Sequence, residues 1–402
     1  MASVKIRIDY YDQEQKGLIQ NNFPKDFDVI EKIAGKTISI PLEDFKTYAF
    51  FRHKHSLNGK ESSFIDLKEM AQNWGHYDLY LELDERGALI NKFPGEIIEA
   101  NDVSEMIGIA GGLSVASTLY GFTQADWTKI PISKHKDFDF NRISSLEERF
   151  INIETKGSII PDNSKKSSSV SNHKNSIIGK KLDPKFINRR PISNNTNIGI
   201  ITVADRNHNL QAWLVDPPIR SFDISPKKTR LLKRLYFYHS IIRYITERSH
   251  LTIALADRIK AIENTNDYMH LNKVPLVNGG FNKIELSESF VNFKAYNLEK
   301  EILGNTYSYD SHIFFLGISK DIVDIIISQD FNRILEIKTV PFTQSLILDC
   351  KKSKNEWRKS DMKDSLNITL SSNLKDTQYI HFKMKTDILQ STSGLCIGRQ
   401  KL

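Results

Sequence analysis

The chain has 402 residues, 40% hydrophobic and 26% charged, with a formal net charge of +7. That is ordinary globular composition, long enough for two or three domains, and its basic balance, spread this thinly, favours polyanion partners only weakly. Two cysteines, Cys350 and Cys396, stand in no CxxC pair, which excludes a disulfide framework or a structural zinc site and suits a reducing cytosol.

Residues 1–97 read as a mixed α+β region. Met1–Asp12 lacks the apolar centre of a signal peptide. Val4–Tyr10 alternates apolar and polar residues as a half-buried strand does. Leu79–Leu83 and Ala88–Ile90 read as a hairpin with Gly87 in its turn.

Residues 98–222 carry the chemistry. A helix is expected from Asp102 to Tyr120, ended by Gly121. The uncharged stretch between Glu105 and Asp126 is long enough to span a membrane. Its Gly108, Gly111 and Gly112, with its serines and threonines, point instead to a buried core helix, and no membrane partner is expected. Strands follow at Lys129–Ser133, Asp137–Ile143 and Arg149–Ser158. Residues 159–196 are rich in Ser, Asn and Lys, with a short helix at Ser171–Lys181. Strands Ile198–Ala204 and Leu210–Val215 close the region, and Pro217 and Pro218 stop the second.

Residues 223–402 read as a helix-rich α+β region with a recognition or oligomerisation role. Lys227–Asn264 is helical in pattern, as is Lys320–Ser328. Strands are expected at His312–Gly317 and Thr339–Leu348. The last fifty residues are polar and mixed and show no assignable pattern.

In a strand, residues i and i+2 share a face. Glu154 and Lys156 therefore project together, with Asn152 and Phe150, while Ile151, Ile153 and Thr155 face the other way. A hairpin between the two preceding strands would bring Asp139 beside Glu154; Asp137 shares its face and is a rival. Two close carboxylates repel unless a cation sits between them, and oxygen ligands suit Mg²⁺. A lysine two residues on can touch the attacking water or the scissile phosphate. The other reading is a solvent-facing strand with a cross-strand ion pair and no chemistry.

The string Asp137-Phe-Asp-Phe140 followed by Ile153-Glu-Thr-Lys-Gly157 resembles the PD-(D/E)XK, or restriction-endonuclease-like, nuclease superfamily. The resemblance covers about residues 102–216. It implies a mixed α/β fold with an αβββαβ core. It makes Asp139, Glu154 and the carbonyl of Thr155 ligands of Mg²⁺, with Mn²⁺ as substitute, and Lys156 the catalytic lysine. Glu105 on the first helix would join the site, though Asp102-Val-Ser-Glu105 also reads as a capping box. No proline precedes the aspartate, a departure from the family pattern. The implied activity is endonucleolytic hydrolysis of DNA in the cytoplasm, in restriction or antiviral defence, by a homo-oligomer or with a separate ATPase.

Lys165, Lys166, Ser168, His173, Lys174, Lys180 and Lys181 follow the site strand, and their ammoniums and hydroxyls suit phosphate oxygens. A disordered surface loop is the rival reading. Lys227, Lys228, Arg230, Lys233, Arg234 and Arg243 would extend that track or form a solvated helix face. Two other functions stay open: a nucleic-acid-binding or assembly protein of the same fold without catalysis, and a serine hydrolase using Ser114 in Gly112-Leu-Ser114-Val-Ala116. The second needs a strand before the serine and a helix after it.

Overall fold

Val4, Ile6 and Ile8 are buried on one side of strand β1 (Ser3–Tyr10), the alternation that the sequence predicts. This computed structural model describes residues 2–51, 67–92, 100–129, 140–143, 150–160, 167–179, 195–205, 208–215, 226–246, 249–277, 290–294, 300–309, 312–353, 368–370 and 379–401. The chain divides into two compact units, Met1–Lys233 and Arg234–Leu402.

In the first unit β1 is followed by α1 (Gln13–Asn22), α2 (Pro24–Glu31), β2 (Thr37–Pro41), α3 (Leu42–Phe50) and α4 (Leu67–Tyr80). The predicted hairpin is present as β3 (Leu81–Leu83) and β4 (Leu89–Asn91), with Gly87 at φ +88° in its turn. Next come α5 (Ala100–Tyr120), β5 (Thr128–Lys129), β6 (Phe140–Ile143), β7 (Phe150–Ile159), α6 (Ser168–Gly179), β8 (Asn195–Ala204) and β9 (Leu210–Val215). Seven strands form one mixed sheet in the order β2-β1-β9-β8-β7-β6-β5. The pairs β5–β6 and β6–β7 are antiparallel, β7 and β8 are parallel, and β8–β9 is antiparallel again. Parallel neighbours need a long crossover, and the segment joining β7 to β8 carries α6. Strand β1 adds to the edge of β9 in parallel and pairs β2 antiparallel. Residues on either side of the boundary expected near residue 97 thus share one sheet.

Helix α5 is the core helix that its small residues predict. Val103, Met106, Ile107, Ile109, Ala110 and Leu113 are buried along it. Its glycines let the backbone approach the sheet. A Cβ on Gly108 would lie 2.5 Å from the amide nitrogen of Gly157, and one on Gly111 would lie 2.4 Å from the Thr202 methyl. Among the described residues no helix is long and apolar enough to cross a membrane.

The second unit contains most of α7 (Pro226–Thr246), then α8 (His250–Glu263), β10 (Val291–Lys294), β11 (Glu301–Tyr309), β12 (His312–Ser319), α9 (Lys320–Ser328), α10 (Phe331–Glu336), β13 (Phe342–Ser353), β14 (Ile368–Leu370), β15 (Tyr379–Gln390) and β16 (Leu395–Lys401). Its seven strands make an antiparallel sheet, ordered β10-β11-β12-β16-β15-β13 with β14 also on β15. The expectation of a helix-rich region holds for α7 and α8 but misses the weight of this sheet. The C-terminal strands hide in polar sequence. In β15, Phe382, Met384, Thr386 and Ile388 are buried while Lys383, Lys385 and Asp387 alternate with them outside. That is period-two burial with lysine on the solvent side.

Candidate functional site

Strand β7 has helices over both faces, which is why its residues are buried on both. Ile151, Ile153 and Thr155 lie on one side. A Cβ on Gly112 would touch the Thr155 methyl at 2.7 Å, so this side meets α5. Asn152, Glu154, Lys156 and Ser158 lie on the other. Ser158 Oγ is 2.7 Å from Ser169 Oγ, and a Cβ on Gly199, the register partner of Glu154, would meet Ile177 at 2.8 Å. Helix α6 therefore lies against the Glu154 side of the sheet. Its core there is Val170 and Ile177 with Ile201, Val203, Trp213 and Val215.

The Glu154 side chain is 0% exposed, and Lys156 Nζ sits 2.7 Å from its Oε1, itself 26% exposed. The ammonium thus spans from a wholly buried carboxylate toward the surface. A buried charge is tolerated only with such a partner. The strand is not solvent-facing at Glu154, because the acid is inside the fold.

His173 on α6 completes this edge. Its Nε2 is 2.9 Å from the carbonyl oxygen of Gly157, which accepts, so the ring is the Nε2–H tautomer. Burial lowers its pKa; the Gly157 carbonyl opposes that, and the positive charge of Lys156 adds to it. The folded protein resists protonating His173, whereas the unfolded chain titrates near the ordinary value of 6.5. Stability is therefore full above that value and falls as pH drops below it. Urea midpoints taken at about pH 7 and about pH 5 should fall less in His173→Gln than in wild type. Equal losses would place the acid sensitivity elsewhere.

Lys174 is half-buried. Its Nζ is 2.7 Å from Asp12 Oδ2 and 4.7 Å from the centre of the Tyr11 ring. Asp12 also caps α1 by accepting from the amide of Gln15. Lys174 is thereby engaged within the protein. Ser168, at the start of α6, is exposed. Asp137, Asp139, Lys165, Lys166, Lys180 and Lys181 lie outside the described residues.

Glu105 is exposed on α5, one turn before Gly108. The helix is described from Ala100, so Asp102 lies inside its first turn. Among the described residues no group of three His, Cys, Asp or Glu side chains converges to hold a metal ion.

The basic stretch on α7 turns inward over half of its members, contrary to both expectations. Arg230 Nε is 3.1 Å from Asp126 Oδ1, Lys233 is buried, and Arg234 is 1% exposed, donating to the carbonyls of Ile334 and Ile337. Arg243 and Lys227 remain exposed. Ser114 is 2% exposed inside α5 rather than on a strand-to-helix turn, and its hydroxyl makes no hydrogen bond among the described residues. The geometry of a nucleophile elbow is absent at that position.

Sequence reasoning did not single out Asp12. Its signal was legible as a cap, Asp12-Gln-Glu-Gln15, but nothing local announces a partner as distant in sequence as Lys174. No family model matches the chain, and neither the curated proteins nor the solved structures give a match.

Proposed function

We propose that the chain is a divalent-metal-dependent nuclease that hydrolyses DNA phosphodiester bonds, with Glu154 and Lys156 at its centre. The observation that carries the reading is the buried Glu154 carboxylate held by the Lys156 ammonium at 2.7 Å on the interior strand β7. The surrounding order supports it: helix α5, three antiparallel-paired strands, helix α6, then a strand parallel to the third. That is the order which the resemblance to PD-(D/E)XK nucleases implies.

Mg²⁺ fits the donors in kind. Glu154 offers a hard carboxylate oxygen that already attracts a cation, the ammonium, and the Thr155 main chain offers a carbonyl. Asp139 is the proposed second carboxylate. The described β6–β7 ladder ends at the pair Phe140–Ile153; Asp139 itself lies outside the described residues, and its place in the proposal rests on the resemblance. When bound, such an ion supplies Lewis acidity and lowers the pKa of a coordinated water.

The chain's own groups would do the rest. Lys156 places a positive charge where a pentavalent phosphate gains negative charge. The neutral His173 ring, fixed on the Gly157 carbonyl, holds α6 beside that lysine. Ser168, exposed at the start of α6, offers a hydroxyl to a phosphate backbone. DNA as the substrate class, like a role in restriction or defence, rests on the resemblance alone.

Plasmid DNA incubated with the full chain tests the proposal. Nicking or linearisation with Mg²⁺ or Mn²⁺, abolished by EDTA, is the expected result. Salt-sensitive binding without cleavage under any metal would transfer the reading to a catalytically silent nucleic-acid-binding protein.

A further inference from the structure

We infer that Lys156 guards Glu154: its ammonium occupies the carboxylate until a divalent cation displaces it, and the displaced lysine is then the one that turns to the phosphate. The inference rests on the metal-centre reading above and adds its regulation.

The two partners differ in freedom. Glu154 is wholly buried, and its backbone is fixed in the ladder against Gly199 of β8, so it is the less mobile partner. Lys156 is partly exposed and has a four-carbon stem, so its head group is the part that can move. A dication sharing the Glu154 oxygens would repel an ammonium 2.7 Å from one of them. Metal binding and the ion pair therefore exclude each other, and their free energies are linked. Loading the site and arming the lysine become one event. Without the cation, the acid is neutralised and the lysine is engaged, so the centre is silent on both counts.

Mn²⁺ binding to the full chain, followed by electron paramagnetic resonance, tests this. Removing the competing charge in Lys156→Met should tighten Mn²⁺ binding by about ten-fold. Lys156→Gln, which still offers Glu154 a hydrogen-bond donor, should tighten it as well and covers the case in which Lys156→Met does not fold. Lys156→Arg keeps the charge and should leave affinity near that of wild type. Glu154→Gln should lose binding. Unchanged or weaker affinity in both neutral variants, with Glu154→Gln still losing it, would overturn the guard and leave the metal centre standing. No Mn²⁺ binding by any form would overturn both.

Discussion

Glu154→Gln should cut metal-dependent cleavage by about a thousand-fold while leaving the protein folded. The substitution preserves the volume of a side chain that has no exposure at all, so it opens no cavity. What it removes is the charge. An amide cannot hold a divalent ion as a carboxylate does, so the proposed metal centre would lose its ligand and the water activation it would supply. The Lys156 ammonium keeps access to solvent and tolerates the loss. Glu154→Ala is a poorer test, because deleting buried atoms adds a packing cost of about 2–4 kcal/mol that mixes with the chemical one. Cleavage rates under saturating Mg²⁺, with the urea midpoint of each variant, separate the two effects. Full activity in Glu154→Gln would remove this residue from the centre.

Gly157→Ala should destabilise the first unit by about 3 kcal/mol or more, or prevent its folding. The added Cβ would lie 1.8 Å from the carbonyl oxygen of Ser104, 2.6 Å from the amide nitrogen of Gly108 and 2.8 Å from its Cα. All three are backbone atoms of α5, so no side-chain rotation relieves the clash and the helix must lift off the sheet. Gly121→Ala provides the comparison. It sits at φ +67° at the end of the same helix with nothing within 4 Å of a Cβ. Its cost should be only about 1 kcal/mol, the conformational penalty alone. Denaturant unfolding followed by tryptophan fluorescence reads both. A Gly157→Ala protein as stable as Gly121→Ala would mean that α5 does not bear on β7 at that point.

These two positions show why the site strand was legible in the sequence. Ile151, Ile153 and Thr155 alternate with Asn152, Glu154 and Lys156, and that periodicity is a local property of a strand. The same holds for Leu210–Val215 and for the helix Lys320–Ser328, whose predicted bounds match the structure residue for residue. The small residues Gly108, Gly111 and Gly112 announced a helix packed close, and the close approach to Gly157 and Thr202 is its cause.

What escaped the sequence depends on distance along the chain. Composition counted Arg230, Lys233 and Arg234 toward a basic track. It could not show that Asp126 or the carbonyls of Ile334 and Ile337 wait to receive two of them. Lys174 suits a phosphate by type, yet Asp12 engages it from the far end of β1. A charge is visible in a sequence, but the partner that neutralises it is a tertiary fact. The C-terminal strands escaped for another reason. In β15 the buried set includes Thr386 as well as apolar residues, and lysines fill the alternate places, so mean polarity conceals the period.

Anomalous diffraction from crystals of the full chain soaked in Mn²⁺ tests the central claim most directly. The account predicts a peak bound to the Glu154 carboxylate, with Asp139 as a second ligand and Lys156 Nζ withdrawn from its 2.7 Å contact. Soaked crystals with no peak at Glu154, and the Lys156–Glu154 ion pair unchanged, would contradict it.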